Sequence, residues 1–306
     1  MPTSQKKKPL KTTQPSNQND FREEVSLTCA CSRDLTIAEI GRVFRARTKK
    51  QLENFLPHLN DSFKTYGIDT CLKKSHFLAQ VGHESAQTRL LEESGISDEM
   101  EKEKYGGYKG RGLLQLTFQD AYEKYGAYVG ADFLEAKRTQ LATPKYGTDS
   151  AGWFWKKYKG VDLSDYSQKN DFIYITQKIN GAFNGWDDRL LLLGRAIASL
   201  LVDHCPTMIV CPNVTTFSLT QSASNSSTVA SFAFGYWFDP TEKASRIVGV
   251  TRSKDNAIEG YSRFVELTKN ATDRAKSKKG NFGFDTQQAM IEHATIKIKQ
   301  LRKPES

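Results

Sequence analysis

The stretch that decides the fold covers residues 71–85 and reads CLKKSHFLAQVGHES. Phe77, Leu78 and Val81 recur at the spacing that places apolar side chains on one side of a helix. The stretch therefore predicts a buried helix that ends near residue 85. Glu84 lies in its last turn, where a carboxylate beside an apolar face is costly unless it is paired or functional. Burial favours the protonated carboxylic acid, which suits a proton donor. A solvent-side Glu84 paired with a lysine such as Lys104 is the competing interpretation.

Helical periodicity continues on both sides of this stretch. Apolar residues keep the same helical spacing in further segments, at 34–59, 120–128, 148–158, 172–179 and 187–202. A loop with charges and five glycines lies between residues 95 and 112. These patterns predict a mainly α domain over residues 21–204, preceded by a disordered basic leader at 1–20.

The amino-acid composition changes after residue 204. Residues 213–238 are rich in Ser, Thr, Val and Phe, which are typical of strands when turn residues separate them. We predict strands at 214–220 and 228–238, a third at 247–251, and helices at 257–269 and 286–301. Residues 205–306 therefore predict a small α+β appendage that carries no catalytic motif.

The net charge of +9 is concentrated at the two ends of the chain. Residues 1–12 and 266–306 each carry a net charge of +4. A nucleic-acid partner is not expected, because the body shows no basic stripe with interleaved aromatics. The basic ends suit either an anionic envelope or a solubilising tail.

The sequence contains no apolar run of the roughly 18–20 residues that a membrane span needs. No apolar stretch follows Lys6–Lys8, so a secretory signal peptide is not expected. We therefore expect synthesis in the cytoplasm and non-classical delivery to any substrate outside the cell. A monomer is expected.

Five cysteines occur, at positions 29, 31, 71, 205 and 211. An odd number argues against a complete disulfide framework. Cys29 and Cys31 do not have a usual metal-ligand spacing, and no histidine cluster accompanies them. The sequence therefore predicts buried thiols or one bridge formed after export, and no metal or cofactor.

Three further segments carry candidate site residues. Glu92 and Glu93 follow Glu84 by eight and nine residues, and a second carboxylate across a groove is what an inverting glycosidase requires. Adjacent acids are also common on ordinary surfaces. In the segment YKGRGLLQLT at 108–117, Gln115 and Thr117 would share one face of an extended chain, although a turn followed by a buried strand has the same pattern.

The third segment is ITQKINGAFNGWDDR at 175–189, in which two Asn-based turns bracket a Phe and precede a helix. Asn180 and Asn184 have amides that suit sugar hydroxyl and N-acetyl groups. Both side chains would equally serve the turns themselves.

Taken together and in this order, these segments resemble the family 19 glycoside hydrolases, which include chitinases and peptidoglycan-cleaving lysozymes. The matching pieces, within residues 33–203, are FLAQVGHES at 77–85, YKGRGLLQLT at 108–117, SAGWFW at 150–155 and INGAFNGWDDR at 179–189. The resemblance implies a mainly α, lysozyme-like bilobal domain with a central substrate groove.

The resemblance also implies roles for individual residues. Glu84 corresponds to the general acid and Glu93 to the general base, with Glu92 as the competitor, and Thr117 corresponds to the residue that holds the attacking water. The expected substrate-binding residues are Tyr108, Arg111, Gln115, Asn180, Asn184 and Arg189. Where plant members often have Gly-Gly after the acid, this chain has Ala86 and Gln87, and where plant members have Glu it has Asn184.

The expected function is inverting cleavage of β-1,4 bonds in an N-acetylglucosamine-containing wall polymer. Peptidoglycan is favoured, as for an endolysin or antibacterial effector. Chitin is the alternative substrate, and an inactive sugar-binding protein is the remote alternative. Residues 205–306 could bind substrate, a delivery machine or an immunity protein.

Overall fold

The computed structural model describes residues 28–207, 213–214, 216–269 and 282–304. Throughout these residues the regular structure is helical, and in place of strands there are isolated antiparallel bridges from Arg111 to Glu92 and to Leu116. The mainly α prediction is confirmed. The predicted leader at 1–20 and Cys211 lie outside the described residues.

Thirteen α-helices are formed in the described residues. They are α1 Ile37–Val43, α2 Lys49–Glu53, α3 Leu56–Tyr66, α4 Cys71–Glu84, α5 Asp98–Tyr105, α6 Gln119–Val129, α7 Pro144–Lys157, α8 Leu163–Gln168, α9 Phe172–Asn180, α10 Trp186–Ser199, α11 Thr228–Phe238, α12 Lys254–Thr268 and α13 Gln287–Leu301. Ser or Thr side chains cap most of their N-termini, as Thr70 does for α4. None of the described helices combines the length and the apolar character needed to cross a membrane.

Helix α4 is the buried centre of the fold and packs against α10. Nearly every residue from Cys71 to Gly82 is buried. Gly82 permits the close approach, because a Cβ there would lie 2.7 Å from the Phe44 ring and 3.0 Å from Leu192 on α10. The end of α4 meets the start of α10 through Glu84 and Arg189, so the two helices run antiparallel.

The three strands predicted after residue 204 are wrong. Residues 228–238 form α11, in which every residue from Ala230 to Phe238 is buried. A helix buried on all sides has no polar face, so its sequence lacks helical periodicity and resembles a buried strand. Gly235 and Gly260 bring α11 and α12 into backbone contact, since a Cβ on Gly260 would lie 2.2 Å from the Gly235 nitrogen.

Residues 214–220 and 247–251 also lack strands in the described parts of these segments. The first ends in the 3-10 turn Leu219–Gln221. The second segment lies alongside the loop before α10. There Gly185 N donates to Val248 O at 3.1 Å, and Asp187 N donates to Gly249 O at 3.0 Å. The backbone groups that a strand would need are therefore used in loop-to-loop contacts.

Helix α11 is joined to the preceding helices by aromatic packing. Phe234 packs edge-on against Phe183 at 5.3 Å, and Phe238 against Trp186 at 5.2 Å. Both partners belong to the INGAFNGWDDR segment. The C-terminal helices therefore support the loop that precedes α10, while the division into domains at residue 204 stays a prediction.

Candidate active site

Glu84 is the last residue of α4, and a buried arginine holds its carboxylate. Arg189 Nη2 lies 2.5 Å from Glu84 Oε1. The Arg189 side chain is fully buried, and the Glu84 side chain remains 19% exposed. The candidate acid is thus fixed at one oxygen and still reaches the surface.

Two further bonds fix the Arg189 guanidinium. Nη1 donates to Gln80 Oε1 at 2.6 Å, and Nε donates to the Asn184 backbone oxygen at 3.1 Å. Gln80 lies one helical turn before Glu84 on α4, so one guanidinium aligns the end of α4 with the loop before α10. The fully buried Arg189 side chain does not support the substrate contact expected of it, because its guanidinium is used to hold Glu84 and Gln80.

The chain leaves α4 through a left-handed turn. Ala86, Gln87 and Thr88 have φ angles of 47°, 58° and 69°. Non-glycine residues rarely adopt this region, and each costs on the order of 1 kcal/mol. Glycine would enter this conformation without strain. The turn carries the chain from Glu84 towards Glu92 and Glu93.

Glu93 is half-buried beside the glycine-rich segment. Its backbone nitrogen donates to Gly110 O at 2.9 Å, and its Oε1 accepts a hydrogen bond from the Tyr105 hydroxyl at 2.8 Å. Tyr105 ends α5 and was not recognised from the sequence. The Tyr105 hydroxyl leaves Oε2 of Glu93 as the oxygen able to take a proton from water.

Gly110 brings Glu93 next to Gln115 and Thr117. A Cβ on Gly110 would lie 2.9 Å from Gln115 Oε1 and 3.4 Å from Thr117 Oγ1, so a side chain there would crowd these two groups. Thr117 Oγ1 donates to the Gln115 carbonyl at 2.7 Å. Its oxygen can therefore still accept a hydrogen bond from a water molecule. The Glu93 backbone and the Thr117 hydroxyl both lie beside Gly110, and the water-holding role of Thr117 stays a prediction.

Glu92 has different surroundings. Its side chain is 51% exposed, and its Oε2 lies 3.4 Å from Lys109 Nζ and 3.5 Å from Arg111 Nε. The bridge to Arg111 gives Glu92 an extended backbone, and neighbouring side chains on an extended chain point to opposite faces. Glu92 therefore faces a cationic pair, whereas Glu93 faces Tyr105.

The structure does not support substrate contact by the side chains of Arg111 and Tyr108. Arg111 is 2% exposed, and its guanidinium forms a buried ion pair with Glu101, with Nη1 at 2.9 Å from Oε1 and Nη2 at 3.1 Å from Oε2. Tyr108 is 4% exposed and packs edge-on against Tyr122 at 5.2 Å. Both residues brace the segment that carries Thr117.

Glu101 was missed in the sequence because an acid in the charged helix α5 resembles a solvent-exposed residue. Burial would raise its pKa, but hydrogen bonds from Arg111 and from the Lys109 backbone outweigh burial and lower it. Glu101 is therefore the ionised counter-charge of Arg111.

Gln115 and the two asparagines are partly accessible. Gln115 has a positive φ of 51°, and its Nε2 donates to Gly112 O at 2.9 Å. Asn180 Oδ1 accepts from the Asn184 backbone nitrogen at 3.2 Å. The turn role is therefore real for Asn180, and Asn184 contributes its carbonyl to Arg189. Sugar binding by these three side chains stays a prediction.

His83 and Phe118 also lie at the site and were not assigned from the sequence. His83 Nδ1 lies 2.8 Å from Asp188 Oδ2, and this hydrogen bond lowers the pKa of Asp188. The His83 ring covers Gly185, where a Cβ would lie 1.9 Å from the ring. Phe118 is 53% exposed, has a φ of 72° and lies 5.8 Å from the Tyr105 ring.

An open cavity of about 530 Å³ lies on the Glu93 side of the site. Its lining includes Glu92, Glu93, Arg89, Lys109 and the loop at residues 94–96. Glu84 does not line this cavity. The cavity can therefore hold solvent or part of a polymer beside Glu93 and away from Glu84.

No protein-family profile matches the chain. Over 85 residues it is 31% identical to a glycosyl hydrolase family 19 domain-containing protein of Haemophilus influenzae, a match that covers 28% of this chain and 38% of that relative. The resemblance to family 19 glycoside hydrolases is thus supported by sequence comparison.

Solved structures of chitinases show a weaker similarity. Chitinase C from Streptomyces griseus HUT6037 is 19% identical with a TM-score of 0.46, and the alignment covers 59% of this chain and 79% of that one. A class IV chitinase of family 19 from Zea mays is also 19% identical, with a TM-score of 0.38 over 63% of this chain and 94% of that one. The sequence match, rather than these structures, supports the family resemblance.

Proposed function

We propose that this protein is an inverting glycoside hydrolase that cleaves β-1,4 bonds of an N-acetylglucosamine-containing polymer. The observation that carries the proposal is the pair of differently held carboxylates: Glu84 is fixed by buried Arg189, and Glu93 is fixed by Tyr105 beside Thr117. Each uses one oxygen in a structural bond and keeps the other for chemistry. General acid and general base catalysis needs two carboxylates with separate roles.

In the proposed reaction, Glu84 Oε2 donates a proton to the glycosidic oxygen as the bond to the sugar carbon breaks. Glu93 Oε2 removes a proton from a water that attacks the opposite face of that carbon. Thr117 Oγ1 accepts a hydrogen bond from this water and orients it. The reaction inverts the anomeric configuration, so each β-linkage yields an α-anomer first.

Peptidoglycan is the favoured polymer. The net charge of +9 suits an anionic envelope. No compact Cys- and Trp-rich chitin-binding segment is evident in the sequence. Chitin is the second candidate, because the family 19 glycoside hydrolases that the chain resembles include chitinases. Action at the cell wall, and contact of residues 205–306 with a delivery or immunity protein, belong to the same proposal.

The test is mass spectrometry of products from purified peptidoglycan and from chitin oligosaccharides. We expect muropeptide release by the wild-type protein, and a loss of about 100-fold or more for Glu84→Gln, since an amide cannot donate the proton. Glu53→Gln, at an exposed position on α2, is the matched control and should keep full activity. Cleavage of chitin but not of peptidoglycan would make chitin the substrate. Binding of either polymer without products would indicate a sugar-binding protein.

The base is tested separately with Glu93→Gln and Glu92→Gln. We expect the first to lose activity by about 100-fold or more and the second to lose only a few-fold, because Glu92 faces Lys109 and Arg111. The anomer formed first is read by NMR. Equal activities in the two variants would refute the assignment, and a β-anomer would exclude inversion.

A further inference from the structure

Four of the five cysteines converge at the end of α4 opposite Glu84. Cys29 and Cys31 lie in the loop before α1, Cys71 is the first residue of α4, and Cys205 follows the helical segment after α10. Their four sulfurs all lie within 4.8 Å of one another. Cys29 and Cys31 were not predicted to be metal ligands, because their spacing is unusual for a metal site and no histidine cluster accompanies them.

The spacing of the sulfurs approaches a tetrahedral metal site. Cys205 Sγ lies 2.9 Å from Cys29 Sγ and 3.3 Å from Cys31 Sγ. Zinc binds thiolates at about 2.3 Å, so the edges of a tetrahedron of four sulfurs measure about 3.8 Å. Both of these separations are shorter than this value, and all six separations stay within 4.8 Å. The Cys205 sulfur is close to two other sulfurs at once. A shared metal ion brings several sulfurs together in this way, whereas a disulfide joins only two.

Hydrogen bonds around the sulfurs suit thiolates. The Cys71 backbone nitrogen donates to Cys31 Sγ at 3.1 Å, and Thr207 Oγ1 lies 3.2 Å from Cys205 Sγ. The first of these groups belongs to the N-terminus of a 14-residue helix, which favours negative charge. Donors of this kind orient ligands and stabilise the charge of a metal–thiolate group.

A buried lysine lies close to the two cysteines of the loop. Lys74 is 2% exposed, and its Nζ donates to the backbone oxygens of Ala30 and Arg33 at 2.7 and 2.6 Å. In the described parts of the chain no carboxylate lies within ion-pair distance of Nζ. Ala30 sits between the two loop cysteines, so this cation lies directly behind them. A zinc ion with four thiolates carries a charge of −2, and a buried ammonium would offset one unit of it.

The loop that carries Cys29 and Cys31 is fixed by backbone bonds to both neighbouring elements. Ala30 N donates to Leu200 O at 3.1 Å, and Ser32 N donates to Asp69 O at 2.8 Å. Leu200 ends α10, and Asp69 precedes α4. The three chain segments that supply the sulfurs are therefore held in place by contacts that do not involve the sulfurs themselves.

We propose that Cys29, Cys31, Cys71 and Cys205 form a structural site for one zinc ion. All four positions are occupied by protein ligands, so the ion serves folding rather than chemistry on a substrate. As it binds, each thiol releases its proton and the four thiolates bond to the metal. The site joins the loop before α1, the start of α4 and the end of α10.

The first experiment measures metal and thiols in the full chain, purified without chelators after growth with zinc. We expect about one zinc per chain by mass spectrometry of the metal. We also expect all five cysteines to be titratable as thiols after denaturation, with the bound zinc released by a thiol-blocking mercurial. A chain with no zinc and five thiols would overturn the proposal, as would two disulfides with one thiol.

The second experiment tests the ligand set. Cys205→Ser and Cys31→Ser should each lose at least about 10-fold in zinc affinity. They should also lower the unfolding temperature measured with zinc present. Cys211→Ser, the control, should retain one zinc per chain. Wild-type protein reconstituted with cobalt should show the visible absorption of a tetrahedral thiolate complex, which serves if the serine variants do not fold. Full retention of zinc in Cys205→Ser, or octahedral cobalt in the wild type, would refute the ligand set.

Discussion

The ion pair between Arg189 and Glu84 gives the sharpest prediction for the site. Arg189→Met removes a fully buried guanidinium that bonds Glu84, Gln80 and the Asn184 carbonyl. Breaking a buried pair on one side costs about 3–5 kcal/mol, because the remaining charge is left without its partner. Glu84 is 19% exposed and can regain some water, so we expect a loss near 3 kcal/mol.

A double-mutant cycle separates the ion pair from the other two bonds. Glu84→Gln alone should cost about 1–2 kcal/mol, since the amide oxygen can still accept from Arg189. Once the guanidinium is gone, the second substitution removes little more. The double variant should therefore be more stable than the sum of the single effects predicts, by about 1–2 kcal/mol.

The assay is urea unfolding of the four proteins at neutral pH, followed by the intrinsic fluorescence of tryptophan. Arg195→Met, a half-buried position on the same helix, is the matched control and should cost less than about 1 kcal/mol. Single effects that add within about 0.5 kcal/mol would show that the two residues are not coupled and would refute the role given to Arg189.

Three further predictions follow from individual positions. Burial lowers the pKa of His76 to about 4, although Asn170 forms a hydrogen bond with its ring. As the pH falls, the unfolded chain therefore binds a proton at His76 before the folded protein does, and the free energy of unfolding should decrease by up to about 3 kcal/mol between pH 6.5 and pH 4. His76→Gln should flatten this pH profile in urea titrations. Ala86→Gly should raise the unfolding temperature by a few degrees, through about 0.5–1 kcal/mol of relieved strain, and a lower temperature would contradict the left-handed turn. Phe118→Ala should raise KM for oligosaccharides several-fold while leaving kcat and the unfolding midpoint nearly unchanged, and an unchanged KM would exclude its ring as a sugar contact.

The helix that ends at Glu84 could be predicted from the sequence because its apolar spacing is regular and its neighbours are close in the chain. The ion pair of Arg189 with Glu84 could not be predicted from a local pattern, since the two residues are 105 positions apart, and the resemblance placed Arg189 among the substrate-binding residues instead. The sequence placed Arg111 among the substrate-binding residues because two flanking glycines suggested close approach of a ligand. Its partner Glu101 lies in a charged helix, and no local pattern reveals that this one acid is buried.

The strand predictions failed for a different reason. Residues 228–238 are almost uniformly apolar and contain β-branched and aromatic residues, and periodicity cannot distinguish a wholly buried helix from a buried strand. The glycine contact between α11 and α12 decides the outcome, and it depends on a neighbour 25 residues away. Tertiary packing thus overrode local preference.

The arrangement of α4 and α10 connects the candidate active site with the cysteine cluster. The two helices run antiparallel, so Arg189 and Glu84 join them at one end while Cys71 and Cys205 meet at the other. Helix α4 has 14 residues, which places its ends about 20 Å apart. At that distance a metal ion cannot polarise the substrate or the catalytic carboxylates. It would instead limit how far the two helices separate at the end that carries the cysteines. Loss of the metal should therefore lower the free energy of unfolding, while the proposed proton transfer by Glu84 should change less.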